Sequence, residues 1–152
     1  MTQAEAILWT THVDCADIPW ITVAPGLEQR VLQARPDENL IVTQSRYQPH
    51  FTHGLHRHLG PIHGYTIAGA WGHEDGRYPY RPGVYLYEPA GVVHRFFNGP
   101  AVSQAMFVTF GDIELLDPAT RAVIRRDDAA GQARRYLEGC EAAGVARPPI
   151  LG

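Results

Sequence analysis

The sequence predicts an all-β fold, a double-sheet barrel with one α-helix near its C-terminus, and three observations carry that expectation. Fifteen glycines and twelve prolines are scattered along the 152 residues and punctuate short apolar runs, the pattern of sandwiches and barrels. The runs favour extended backbone, as in ENLIVTQSRY with Ile41, Val42 and Thr43 in succession. His56 and His58 stand two apart in GLHRHLG, which on a strand turns both imidazoles to one face.

The length suits one compact domain over residues 1–152, with a barrel over about 18–116 and a helix over about 127–144. A net charge of −3 and the lack of a basic run give no footprint for nucleic acid. No apolar stretch approaches the ~20 residues of a membrane span. The opening MTQAEAILWTTHVDCADIPW has no basic region followed by an apolar core, so it does not read as a signal peptide. Cys15 and Cys140 fit no metal or redox spacing. A reduced, cytoplasmic protein is expected, assembled as a homo-oligomer (dimer or tetramer).

Taken in order, the first two dozen residues read as an arm or short edge element, with ITVA after Asp17-Ile18-Pro19-Trp20 as a strand. Pro25-Gly26 turns the chain into LEQRVLQA, whose alternation is imperfect, and Arg35-Pro36-Asp37 turns it again into ENLIVTQSRY. After the His56/His58 strand, Gly60-Pro61 leads into IHGYTIAGAW, where strict alternation places His63, Tyr65, Ile67 and Gly69 on one face. HEDG, from His73 to Gly76, is a polar hairpin loop, and RYPY is confined to an edge by Pro79. VYLYE, VVHRFF and AVSQAMFVTF complete the strands; His94 and Phe96 share a face, and Glu88 stands opposite Tyr85 and Tyr87 with either side free to be the interior. From Asp127 the pattern turns helical, with Asp127 or Asp128 as N-cap and Gly144 as the stop.

Most isolated histidines are surface or satisfied core residues. A same-face His56/His58 pair, joined by His94 just after a Pro-Ala-Gly turn, points instead to a metal site. Imidazole suits zinc, copper, iron and nickel alike. His63 is expected either as a fourth ligand or as a hydrogen-bond donor to a ligand or the substrate. Tyr65 and Phe96 share faces with the histidines and line the pocket, or serve as barrel core. His50, His53 and His73 fall in connections, with His53 near enough for the mouth of the site.

GVYLYEPAGVVHRFFN, from Gly83 to Asn98, resembles the second cupin motif at Gly83, Pro89, Gly91, His94 and Asn98. His56-Arg57-His58 resembles the first motif, with His50 where its leading Gly would stand and His63 in place of its usual Glu. HRHLGPIHGYT together with YEPAGVVH is similar to cupin dioxygenases of the 2,4'-dihydroxyacetophenone type, and more distantly to acetylacetone-cleaving cupins. The resemblance implies a cupin double-stranded β-helix, or jelly-roll barrel. It also implies non-haem Fe(II), with zinc, nickel or manganese as other occupants, held by His56, His58, His94 and, in one arrangement, His63. The implied reaction is cleavage by O2 of the carbon–carbon bond beside a carbonyl in a small hydroxyketone or diketone, as in the breakdown of aromatic compounds, with His63 and Tyr65 as catalytic residues. An all-histidine shell would be neutral and would favour an anionic, bidentate enolate. A zinc or manganese isomerase, and a non-catalytic cupin that binds a small effector, are the alternatives.

Overall fold

A computed structural model describes residues 9–74 and 76–152, so the first eight residues of the expected N-terminal arm and Asp75 of the HEDG loop lie outside the described residues. Among the described residues eleven strands, all paired antiparallel, form two sheets. The larger sheet holds β1 (Ile21–Ala24), β2 (Leu27–Arg35), β3 (Leu40–Tyr47), β9 (Ser103–Phe110), β5 (Ile62–Ala68) and β7 (Tyr85–Glu88), in that order. The smaller runs β11 (Val123–Asp127), β10 (Ile113–Leu116), β4 (Thr52–His58), β8 (Val93–Asn98) and β6 (Trp71–Gly72). Helix α1 (Ala129–Ala142) follows β11 directly and packs on β2, β1 and β3, so it joins one edge of the small sheet to the large one. Among the described residues no helix is long and apolar enough to cross a membrane.

The imperfect alternation of LEQRVLQA has a physical cause. A bulge between Val31 and Gln33 shifts the β2/β3 register, and Val31 and Leu32 are both buried although adjacent. Val31 faces the barrel interior with Thr43, while Leu32 packs in the cluster of Ile18, Ile21, Tyr136 and Cys140 that seats the helix. The helix is capped by Asp128, whose carboxylate accepts from Gly131 N at 2.7 Å, and it is followed by Gly144 at φ +69°. The β10/β11 hairpin was not expected as strands. Its charges explain why: RAVIRRD lacks an apolar alternation, and its outer face is held by ion pairs of Arg57 with Glu114 and Arg126 with Asp112.

A second cluster fills the other end of the barrel. Phe96 lies between Tyr47 and Trp71, with ring centroids 4.2 and 4.8 Å away, and the Trp71 indole N–H donates to Thr66 Oγ1 at 2.9 Å. Asn98, 2% exposed, gives its amide N–H groups to the carbonyls of Tyr47, Gln48 and Ala101 and accepts from Ser103 Oγ. This motif asparagine is therefore a knot between the end of β8 and the chain leaving β3.

Candidate metal centre

Strand β5 decides which histidines can meet. Its buried positions are Ile62, Gly64 and Thr66, so His63, Tyr65 and Ile67 point out of the barrel. The expected alternation is present, and the face that carries His63, Tyr65 and Ile67 is the outer one. Gly64 sits where a Cβ would come within 3.0 Å of Leu86 and Phe107, and Thr66 is wholly buried under Trp71. Small residues on the packed side and large ones on the open side make the outer face look like core. His63 Nδ1 instead lies 2.7 Å from the Tyr85 hydroxyl on the surface, and Tyr65 is 45% exposed. The expectation that His63 ligates beside the other histidines is thereby corrected, and His63 and Tyr65, expected in catalysis, both stand on the outer face: neither side chain reaches the interior.

His56, His58 and His94 do converge. β4 presents His56 and His58 inward, β8 presents His94 directly opposite His56, and one nitrogen of each ring lies within 4.8 Å of the others. The ring centroids stand 4.7 to 5.3 Å apart. His56 Nδ1 is 2.7 Å from the Gly54 carbonyl oxygen, which can only accept, so that nitrogen carries the proton and Nε2 keeps its lone pair.

The interior also holds three groups that sequence reasoning did not place there. Glu88 points inward from β7, and its Oε2 lies 3.5 Å from His58 Nε2 and 3.6 Å from His94 Nε2. His73, expected in a surface loop, stacks on His94 at 3.9 Å between centroids and brings Nε2 to 3.6 Å from Glu88 Oε1. His53 reaches the same side through a one-residue bulge: β4 pairs His53 with Phe96 but His56 with His94, so residues three apart face the same way. Its Nδ1 is 3.1 Å from His56 Nδ1. Counting by twos from His56 puts His53 on the wrong side, which is why alternation alone did not find it. The inward position of Glu88 replaces the expected neutral shell with three imidazoles beside a carboxylate.

Burial, reinforced by the neighbouring imidazoles, lowers His56 to about 4, His58 to about 3 and His94 to about 2. All three rings are thus held neutral, the state a metal needs. Burial pushes the Glu88 carboxyl up to about 7. His58 Nδ1 and Glu88 Oε2 are buried without a hydrogen-bond partner among the described residues. Neutral imidazoles gathered round an unpaired carboxylate fit a divalent cation, which would supply the missing partner. The cluster opens on a cavity of about 260 Å³ with walls that include Ile41, Ile62, Phe96 and Phe107. Phe96, expected either as lining or as core, is both.

Two antiparallel sheets closing on histidines delivered by paired strands define a cupin. This chain belongs to the ChrR cupin-like domain family, which matches residues 10–114. An RmlC-like cupin protein from Ralstonia eutropha JMP134 superposes with a TM-score of 0.85 at 22% identity, covering 95% of each chain. A cupin-like protein of unknown function from the same organism gives 0.82 at 25% identity, over 100% of this chain and 96% of the other. An acetylacetone dioxygenase from Acinetobacter johnsonii gives 0.74 at 15% identity, over 91% and 97%. No curated protein matches the sequence.

Proposed function

We propose that the protein is a non-haem iron dioxygenase that cleaves the carbon–carbon bond beside a carbonyl in a small hydroxyketone or diketone, of the 2,4'-dihydroxyacetophenone or acetylacetone kind. The observation that carries this reading is the meeting of His56, His58 and His94 at one end of a cavity with apolar walls. Sharing a fold with an acetylacetone dioxygenase supports the substrate class. Bound iron(II) would supply activation of O2 and polarisation of the substrate carbonyl.

The chain's own groups then have definite work. His56, His58 and His94 hold the ion, and the Gly54 carbonyl fixes the His56 ring through Nδ1–H. Glu88 Oε2, unpaired and with its carboxyl pushed up to about 7, takes the proton next to the substrate carbonyl and leaves an enolate. Its position beside the rings also lets it serve as a further ligand, as the grouping of His73, Glu88 and His94 allows. Ile41, Ile62, Phe96 and Phe107 keep water from the enolate. For a hydroxymethyl ketone the balance is one ketone and one O2 to two carboxylic acids.

The same donors suit zinc or manganese, which would fit an isomerase or an effector-binding cupin. Metal analysis of protein purified without chelator, run beside oxygen uptake with hydroxyacetophenones and β-diketones, separates these readings. Iron with substrate-dependent uptake is expected; zinc with no uptake for any ketone would end the dioxygenase reading.

A further inference from the structure

The histidine end is only one end of the cavity. Register across the small sheet lines up Arg125 of β11, Leu115 of β10, His56 of β4 and His94 of β8 in one transverse row. Residues directly opposed in antiparallel strands share a face, so Arg125 is turned to the same side as the histidines. Two strand spacings of ~4.8 Å put its backbone about 10 Å from that of His56. Arg125 lines the cavity at its exposed rim. The neighbouring row runs Asp127, Ile113, His58, and there Asp127 is taken up by an ion pair with Arg135 of the helix.

Arg125 has no such counter-charge. Among the described residues its side chain makes no hydrogen bond or ion pair. Gln132, on the first turns of α1, also lines this cavity, and its Nε2 is buried with no partner among the described residues. A buried amide N–H₂ left unpaired is costly unless a ligand or water accepts from it. The helix brings Gln132 and Arg135 to the cavity because it crosses from the edge of the small sheet to the large one.

We propose that Arg125 and Gln132 form an anion-recognising subsite, so that the protein's substrate is a keto acid whose carboxylate is held by these two donors while its carbonyl lies at the histidine cluster. The span between the two ends suits a carboxylate separated from the ketone by a ring or an equivalent spacer. Guanidinium offers a planar fork for a carboxylate and the amide adds a second, shielded hydrogen bond. The substrate assignment rests on the histidine cluster being the reacting end, but binding by the two donors does not depend on which metal sits there.

The test is calorimetric binding of 4-acetylbenzoate and of its neutral methyl ester, to metal-loaded and to chelator-treated protein. The native chain should bind the acid about tenfold more tightly than the ester in both forms, the scale of a charge-assisted hydrogen bond. Arg125→Gln should abolish that preference, and Gln132→Leu should reduce it about threefold, with ester affinity, metal content and circular dichroism unchanged. A preference kept in both variants would put the carboxylate on the metal and overturn the proposal. So would equal affinities in the native protein, undetectable binding of the acid, or a preference that vanishes with the metal. If zinc is found and no ketone consumes oxygen while Arg125→Gln still removes the acid preference, the dioxygenase reading fails and the subsite stands.

Discussion

His58 and His63 lie five residues apart and live in different worlds. His58 is 7% exposed, among four other imidazoles and a carboxylate, and its Nδ1 has no hydrogen-bond partner among the described residues. His63 stands on the outside of the large sheet against the Tyr85 hydroxyl. Both sit on good strands in similar-looking sequence. What separates them is which side of each strand is filled from within: His58 has inward neighbours of its own kind on β4 and β8, whereas His63 alternates with Ile62, Gly64 and Thr66, the residues that pack. A strand's inner face is set by volume fitting across the barrel, and a glycine or threonine can be the inward residue when Phe107 and Trp71 need the space.

The largest effect expected from that contrast is on metal retention. His94→Ala or His58→Ala should lower metal affinity by at least about 100-fold, since each removes a donor. Metal content after dialysis reads it, with far-ultraviolet circular dichroism confirming that the barrel survives. Retention of a full equivalent in both variants would break the distinction between inner and outer histidines. Glu88→Gln comes next. It keeps the shape and removes the carboxylate, and should weaken the ion by about 10- to 100-fold; competition against a chelator measures it.

Acidification is the third. In chelator-treated protein, unfolded histidines take up protons near pH 6.5, whereas the folded rings resist down to about 4, 3 and 2. Stability contributed by neutral His56, His58 and His94 is therefore complete above pH 6.5. It falls with decreasing pH by up to about 1.4 kcal/mol per unit for each ring. Glu88 runs the other way, because its folded carboxyl, raised to about 7, keeps a proton that the unfolded chain releases from about 4.5 upward. Three rings outweigh one carboxyl, so the urea midpoint should drop between pH 6.5 and 5. A midpoint that rises over this range would contradict the burial of the rings as neutral species.

The smallest effect should come from His63→Ala. Metal content should not change, and stability should move by no more than about 0.5 kcal/mol, as for most surface positions. A lost metal equivalent there would restore His63 to the centre and undo the contrast.

Much of this was legible beforehand. The Gly/Pro turns at Pro25-Gly26, Pro82-Gly83 and Pro89-Ala90-Gly91 marked strand ends, and the His56/His58 spacing with His94 after its turn identified the converging imidazoles. Features that required the other sheet were not legible. Glu88 becomes an interior group only because β7 pairs with β5 in a register that sets it opposite Ile62. His73 lies just past the two-residue strand β6, too short to show a period. The β10/β11 hairpin hid behind charges that neutralise one another on its outer face.

The bulge in β4 has a consequence for how such a centre can change over descent. Side-chain direction along a strand is a parity, and one extra residue flips it for everything on one side of the insertion. With His53 paired to Phe96 and His56 to His94, loss of a single residue between them would turn His53 outward while leaving His56 and His58 in place. Gaining or losing a histidine in this pocket therefore does not require a codon change at that histidine. An indel of one residue next door is enough, and lineages of such barrels can differ in how many imidazoles face inward while their histidines still align letter for letter.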